Sequence, residues 1–131
     1  METRKMIAAE KKASGKYNCA QAVLCTYADL TSIEEETSKN LCHSFAAGMG
    51  NMEGTCGALV GAGITLSMVT KDNAKAMKGM KQMMSKFQER NQSTTCKVLK
   101  GIETKQALRE CPLCVADACE FLEEIIGGEE K

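Results

Sequence analysis

The chain has 131 residues, of which 44% are apolar, and its 17 basic residues balance its 17 acidic ones. This length suits one domain with a single hydrophobic core of ordinary size. A net charge of zero provides no overall field for attracting nucleic acid or an anionic membrane, so neither is expected as a partner.

Residues 1–6 carry charges and no apolar segment follows them, and no uninterrupted apolar span of about 20 residues occurs. We therefore expect a cytoplasmic protein that does not insert into a membrane. In that compartment the eight cysteines should be reduced, metal-bound or cycling rather than held in static disulfides. A secreted disulfide scaffold is the alternative that fits the even number of cysteines.

Composition also favours helices. The chain has one proline, no tryptophan and few strand-forming residues, and nine methionines help to fill its core. We expect an all-α fold over residues 1–131, a single-domain helical bundle of about five main helices plus short ones.

In chain order, residues 2–13 predict a short amphipathic helix that ends at Ser14-Gly15. Asn18 is a favourable N-cap for a second helix, which helical spacing extends to about Leu30. Cys19 then lies in the first turn of that helix.

Two overlapping capping boxes, Thr31 with Glu34 and Ser32 with Glu35, predict the start of a third helix that ends at Ala47. A glycine-rich loop follows, and Thr55 is the expected N-cap of a helix over residues 56–70. Its small residues allow another helix backbone to approach closely, so this glycine-rich helix is predicted to be central and buried.

Asp72 is the predicted N-cap of a fifth helix over residues 73–90, and the next helix runs from about Cys96 to Lys100-Gly101. The core face of the fifth helix is expected to be a stripe of four residues at helical spacing: Met77, Met80, Met84 and Phe87.

A further short helix is predicted over residues 103–109, ahead of Cys111-Pro112. Because proline favours the first helical position, Cys111 becomes the predicted N-cap of the last helix. That helix is expected to stop at Gly127-Gly128 and to leave residues 129–131 frayed.

The eight cysteines divide into two sets on this outline. One set lies at predicted helix starts, where free N–H groups and the helix dipole favour a thiolate: Cys19, Cys56, Cys96 and Cys111. The other set lies within helices, where a thiol behaves as a small apolar group: Cys25, Cys42, Cys114 and Cys119. Cys114 is ambiguous, because with Cys111 it forms a C-x-x-C at a helix start.

Two other residues are weaker candidates. His43 is better explained as a surface residue or a partner of a helix C-terminus than as a metal ligand. Glu53, three residues before Cys56, is a candidate for controlling proton traffic, although a solvated loop charge explains it as well.

The segment Cys56-Gly57-Ala58-Leu59-Val60-Gly61 resembles the glycine motif of the C_GCAxxG_C_C family of small bacterial and archaeal redox-active proteins. The resemblance covers about residues 15–126. It places the characteristic cysteines of the family on Cys19, Cys56, Cys96 and Cys111, and it implies a redox-active or prosthetic-group-binding role. Cys114 lies outside that basic pattern.

Three functions follow. The first is thiol–disulfide or electron-transfer chemistry, with oxidoreductase-like activity. Cys56 would be the low-pKa thiolate, and its partner would be Cys19, Cys96 or Cys111. Cys114 is a further catalytic candidate. The second is a zinc or iron–sulfur module with Cys19, Cys56, Cys96 and Cys111 as ligands. The third is a non-catalytic helical scaffold.

The glycines of this region, Gly54, Gly57 and Gly61, are the candidates for contacting a bound cofactor. A redox protein or oxidoreductase is the expected partner, and a homodimer is one assembly consistent with the sequence. The sequence identifies neither the substrate nor a cofactor.

Overall fold

In the computed structural model, which describes the backbone of residues 2–129 and the side chains of residues 2–128, the chain is all-α and forms no β-strand. The described helices are α1 (Lys5–Ala13), α2 (Cys19–Thr26), α3 (Ala28–Thr31), α4 (Glu35–Cys42), a 3-10 helix (His43–Phe45), α5 (Gly57–Thr70), α6 (Asn73–Asn91), α7 (Cys96–Lys100) and α8 (Cys111–Glu129).

Helix α5 lies at the centre of the fold, as the small residues of this glycine-rich helix predicted. It packs against α2, α6 and α8, while α1 lies along α8. Leu59 and Leu66 of α5 are fully or almost fully buried in the core, which also contains Leu122 of α8. The predicted central position of this helix is confirmed. None of the helices within residues 2–129 combines the length and apolar character of a membrane span.

Several predicted helix ends are confirmed because local side chains determine them. Asn18 accepts a hydrogen bond from the Gln21 N–H, and the Gln21 side chain accepts one from the Asn18 N–H, completing a capping box. Asp72 caps α6 by accepting a hydrogen bond from the Lys75 N–H at 2.9 Å. Gly101 ends α7 in the left-handed conformation, with φ of 70°.

The predicted second helix is wrong in its extent, because it breaks at Tyr27 before α3 begins. Tyr27 is fully buried, and its hydroxyl donates a hydrogen bond to Glu123 of α8. The two capping boxes predicted for the third helix are also wrong. Ser32 adopts the left-handed conformation that ends α3, and Glu34 occupies the N-cap position of α4 without a capping side-chain bond.

The predicted helix over residues 103–109 does not form. The N–H groups of Leu108 and Arg109 both donate to the carbonyl of Leu99, which turns this segment back onto α7. The last helix begins at Cys111 itself, so Pro112 is its second residue, and it continues through Gly127-Gly128 to residue 129. The predicted glycine stop is therefore wrong, and residues 130–131 of the predicted frayed tail lie outside the described residues.

The methionine stripe of α6 is partly correct. Phe87 is fully buried, and Met80 and Met84 pack against the core. Met77 is 55% exposed, whereas Met83, which was not predicted, is fully buried. The buried face of α6 is thus rotated from the predicted one by its packing against α5 and α8.

Candidate functional site

The four helix-start cysteines line one cavity of about 220 Å³. Cys19, Cys96 and Cys111 are the first residues of α2, α7 and α8, and Cys56 immediately precedes α5. The sequence predicted their placement at helix starts, and the proposed disulfide or metal chemistry required them to lie together, but the sequence did not identify which sulfurs pair. Cys114, one turn into α8, is the fifth sulfur around the cavity, and only its C-x-x-C spacing pointed to it.

Glycines of α5 bring α2, and with it Cys19, to the cavity. A Cβ on Gly61 would lie 2.5 Å from the carbonyl oxygen of Ala20, and a Cβ on Gly57 would lie 3.3 Å from the Cys19 Cβ. Both distances are shorter than ordinary van der Waals contact, so glycine permits the α2–α5 approach. Gly57 lines the cavity, whereas Gly61 serves the packing beneath it.

Backbone hydrogen bonds hold the glycine loop against the start of α7. The Cys56 N–H donates to the Thr94 carbonyl at 2.7 Å, and the Cys96 N–H donates to the Gly54 carbonyl at 3.0 Å. An isolated antiparallel bridge joins Thr55 to Thr95. These bonds fix Cys56 beside Cys96, and they give Gly54 a structural role at the edge of the site.

Gly48 is a residue of the site that was not predicted from the sequence. It lines the cavity, and a Cβ added there would lie 2.4 Å from the Cβ of Cys96. Its φ of +56° also lies in the left-handed region that favours glycine. Its position in the glycine-rich loop was the available signal.

Cys19 and Cys111 form the more accessible thiol pair, since both side chains are half-buried. A hydrogen bond from the Cys19 thiol, together with the charges of Lys100 and Lys12, lowers the pKa of Cys111 to about 6. The same hydrogen bond and burial raise the pKa of Cys19. At neutral pH this pair therefore consists of a thiolate, Cys111, and a protonated thiol, Cys19.

Cys56 and Cys114 form a second, buried pair. A hydrogen bond from the Cys114 thiol, aided by the N–H groups of Ala58 and Leu59, lowers the pKa of Cys56 against the opposing effect of burial. The pKa of Cys114 is raised by the same hydrogen bond and by burial. The Cys114 sulfur is also 3.7 Å from the carbonyl oxygen of Arg109, an alternative acceptor for its one proton.

The two cysteines of the C-x-x-C thus have different partners: Cys19 of α2 has the largest effect on the pKa of Cys111, and Cys56, just before α5, has the largest effect on that of Cys114. Cys96 completes the group as a buried thiol, and its pKa is raised mainly by burial. Charges on Cys56 and Cys111 also raise the pKa of Cys96, so these two sulfurs lie within electrostatic range of it.

The remaining cysteines lie apart from the cavity, as their positions within helices predict. Cys25, Cys42 and Cys119 are all buried. Burial raises the pKa of Cys42 to about 11 and that of Cys119 to about 12, so these thiols stay protonated at neutral pH and act as small apolar residues.

His43 and Glu53 do not line the cavity. The His43 ring lies 3.1 Å from the Asn40 side chain, in the 3-10 turn after α4. Glu53 is 68% exposed, and its carboxylate is 3.9 Å from the Lys97 ammonium. These positions fit a surface residue for His43 and a solvated loop charge for Glu53, rather than a metal ligand or a group that controls proton traffic at Cys56.

Cysteine sulfurs such as those that line the cavity are ligands that zinc and iron–sulfur clusters use in proteins. Within the part of the chain that the structure describes, no three His, Cys, Asp or Glu side chains are arranged to hold a metal ion. The contacts of the sulfurs run in pairs, one acidified and one protonated member in each. This pairwise arrangement is suited to thiol–disulfide exchange.

The family model described as Putative redox-active protein (C_GCAxxG_C_C) matches residues 17–125, and the chain belongs to this family. All five sulfurs of the cavity lie within the matched residues. No curated protein and no solved structure matches the chain.

Proposed function

We propose that this member of the C_GCAxxG_C_C family is a thiol–disulfide exchange protein in which Cys111 attacks and Cys19 resolves. The observation that carries the proposal is the pairing of a half-buried, acidified Cys111 with a protonated Cys19 from a different helix. Cys56, expected from the sequence to be the attacking thiolate, is also acidified but only 5% exposed. Cys111 is the thiolate that a substrate reaches more readily.

The exchange conserves atoms and electrons. The Cys111 thiolate attacks one sulfur of a substrate disulfide, the substrate S–S bond breaks, and the departing thiolate takes a proton. Cys19 then loses its proton and attacks the Cys111 sulfur, which releases the second substrate thiol. Two protein thiols become one disulfide and one substrate disulfide becomes two thiols; the reducing thiol pool of a cytoplasmic location would restore the dithiol.

The buried pair extends this scheme. Cys56 and Cys114 likewise combine a sulfur of lowered pKa with one of raised pKa, and charge on Cys56 raises the pKa of Cys19. A disulfide formed at the accessible pair would therefore have a second dithiol beside it, to which the oxidation is passed by a further exchange step. We assign Cys56 and Cys114 this receiving role.

Replacing Cys19 tests the pairing. The alkylation rate of Cys111, followed by mass spectrometry across pH, should rise with a midpoint near pH 6, because the thiolate alone reacts. Cys19→Ala removes the donor and should move the midpoint upward. Cys19→Ser retains an O–H donor and should hold the midpoint near the native value.

A midpoint near the ordinary value of about 8.5 in the native protein would contradict the assignment of Cys111. Equal midpoints in the alanine and serine variants would show that Cys19 does not acidify Cys111.

Metal or iron–sulfur binding is the second candidate, favoured by the convergence of five sulfurs on one cavity. Anaerobic purification followed by metal analysis and a visible spectrum separates the two functions. A colourless, metal-free protein that forms a Cys19–Cys111 disulfide supports exchange. A stoichiometric metal that is lost on replacing Cys19, Cys56, Cys96 and Cys111 with serine supports metal or iron–sulfur binding.

A scaffold function makes a different prediction. If the cysteines only pack, replacing Cys56 and Cys111 with alanine should change stability while leaving metal content and disulfide exchange unaltered. The same purified variants and assays test it.

A further inference from the structure

Cationic side chains surround the thiols of the cavity. Lys12 at the end of α1, Lys100 at the end of α7 and Arg109 before α8 all line it, and none of the described residues that line it is an aspartate or a glutamate. Cationic side chains, and no carboxylates of the described residues, therefore face the thiols of the cavity, although the chain as a whole is neutral.

The three cations are not equally available. Arg109 is held by Asp117 through two hydrogen bonds of 3.1 Å, so its charge is largely compensated. Lys12 and Lys100 have no hydrogen-bond or ion-pair partner within the described residues, and both are half-buried. Two ammonium groups without a carboxylate partner thus line the cavity together with Cys111, and their charges help to lower its pKa.

The size of the cavity limits what can enter. Its volume of about 220 Å³ is below the roughly 300–1,000 Å³ typical of pockets for drug-sized ligands. A low-mass molecule fits this space. An anionic group on it would meet Lys12 and Lys100 while its sulfur faces the thiols at the ends of α2 and α8.

We propose that the substrate of this site is a low-mass anionic disulfide, recognised by Lys12 and Lys100 and reduced by the Cys111–Cys19 pair. This inference rests on the proposed exchange function and names its substrate class. The lysines bind the carboxylate or sulfonate of the disulfide and place its S–S bond against Cys111. The reaction is the balanced exchange given above, with the anionic disulfide as the oxidant.

Three symmetric disulfides that share the S–CH2–CH2 arm and differ in its terminal group test the role of charge: 3,3′-dithiodipropionate is anionic, 2-hydroxyethyl disulfide is neutral and cystamine is cationic. The single-turnover rate of each is measured with reduced protein, and the rate of a Cys111→Ser variant is subtracted to isolate attack by Cys111. The ratio of the anionic to the neutral rate is the quantity compared, because a change in the thiolate fraction of Cys111 cancels from it.

The double variant Lys12→Gln/Lys100→Gln should lower this ratio by about tenfold, the lower end of the range of electrostatic effects on association rates, and should raise the relative rate of cystamine. The matched control is Lys16→Gln/Lys81→Gln, since these two lysines are exposed and do not line the cavity. Its ratio should equal that of the native protein.

A ratio that is the same in both double variants overturns the substrate assignment, because the lysines would then act on the thiolates alone. Failure of the proposed function gives a different result. In that case none of the three disulfides reacts with Cys111 faster in the folded protein than in protein unfolded in urea. Continued reaction of the neutral disulfide shows that a variant is folded and that its thiol pair is active.

Discussion

Substituting Gly61 tests whether the close approach of α2 and α5 assembles the site. In Gly61→Ala, the new Cβ would lie 2.5 Å from the carbonyl oxygen of Ala20, and ordinary contact begins at 3.4 Å. The α2 backbone must therefore retreat by about 0.9 Å, the difference between these two distances. Because the obstacle is backbone, no side-chain rotation relieves it.

Gly63→Ala is the matched control on the same helix. Its Cβ would lie 3.2 Å from the sulfur of Met80, a flexible side chain that can shift. Both variants gain about the same helix propensity, roughly 1 kcal/mol, and this gain cancels in the comparison. Overpacking typically costs about 1–3 kcal/mol, so Gly61→Ala should be less stable than Gly63→Ala by about that amount.

Urea unfolding followed by circular dichroism measures the two free energies of unfolding. A second measurement links packing to the site: the retreat of α2 moves Cys19, the neighbour of Ala20, and weakens its hydrogen bond to Cys111. The alkylation midpoint of Cys111 should therefore rise in Gly61→Ala and remain unchanged in Gly63→Ala. Equal stabilities and equal midpoints would refute the argument that this glycine positions the thiol pair.

Two further predictions concern the core and the support of α8. Met83→Ala should lower the free energy of unfolding by about 2–5 kcal/mol because Met83 is fully buried. Met77→Ala, at an exposed position, should change it by less than about 0.5 kcal/mol. Calorimetry measures the unfolding of both variants. Asp117, 4% exposed, accepts hydrogen bonds from Arg90, Asn91 and Arg109, so Asp117→Ala should cost about 1–3 kcal/mol in urea unfolding. An unchanged unfolding midpoint in that variant would show that the Asp117 network does not stabilise α8.

Local chemistry made much of the helical outline predictable. Capping by Asn18 and Asp72 depends on side chains and N–H groups within three residues, so the sequence alone placed those helix starts. The four cysteines at helix starts follow from the same local signals. Where distant contacts intervened, the prediction was wrong: Tyr27 breaks a helix at a point where its hydroxyl contacts Glu123 of α8.

The glycine-rich stretch also combines a feature that the sequence predicts with one that depends on distant contacts. Its spacing of glycines predicted that a helix would approach α5 closely, and the structure identifies that helix as α2, at Ala20. The identity of the partner depends on the packing of elements far apart in the chain, which no local pattern encodes.

By itself, the sequence determined that the protein is all-α, that it belongs with the C_GCAxxG_C_C proteins, and that four of its thiols lie at helix starts. Only the tertiary structure decided that Cys111 is paired with Cys19 and Cys114 with Cys56, and that two lysines without a carboxylate partner line the same cavity. The physical reason is that a helix start depends on neighbouring residues, whereas the acidity of a thiol depends on which charges and donors folding places beside it.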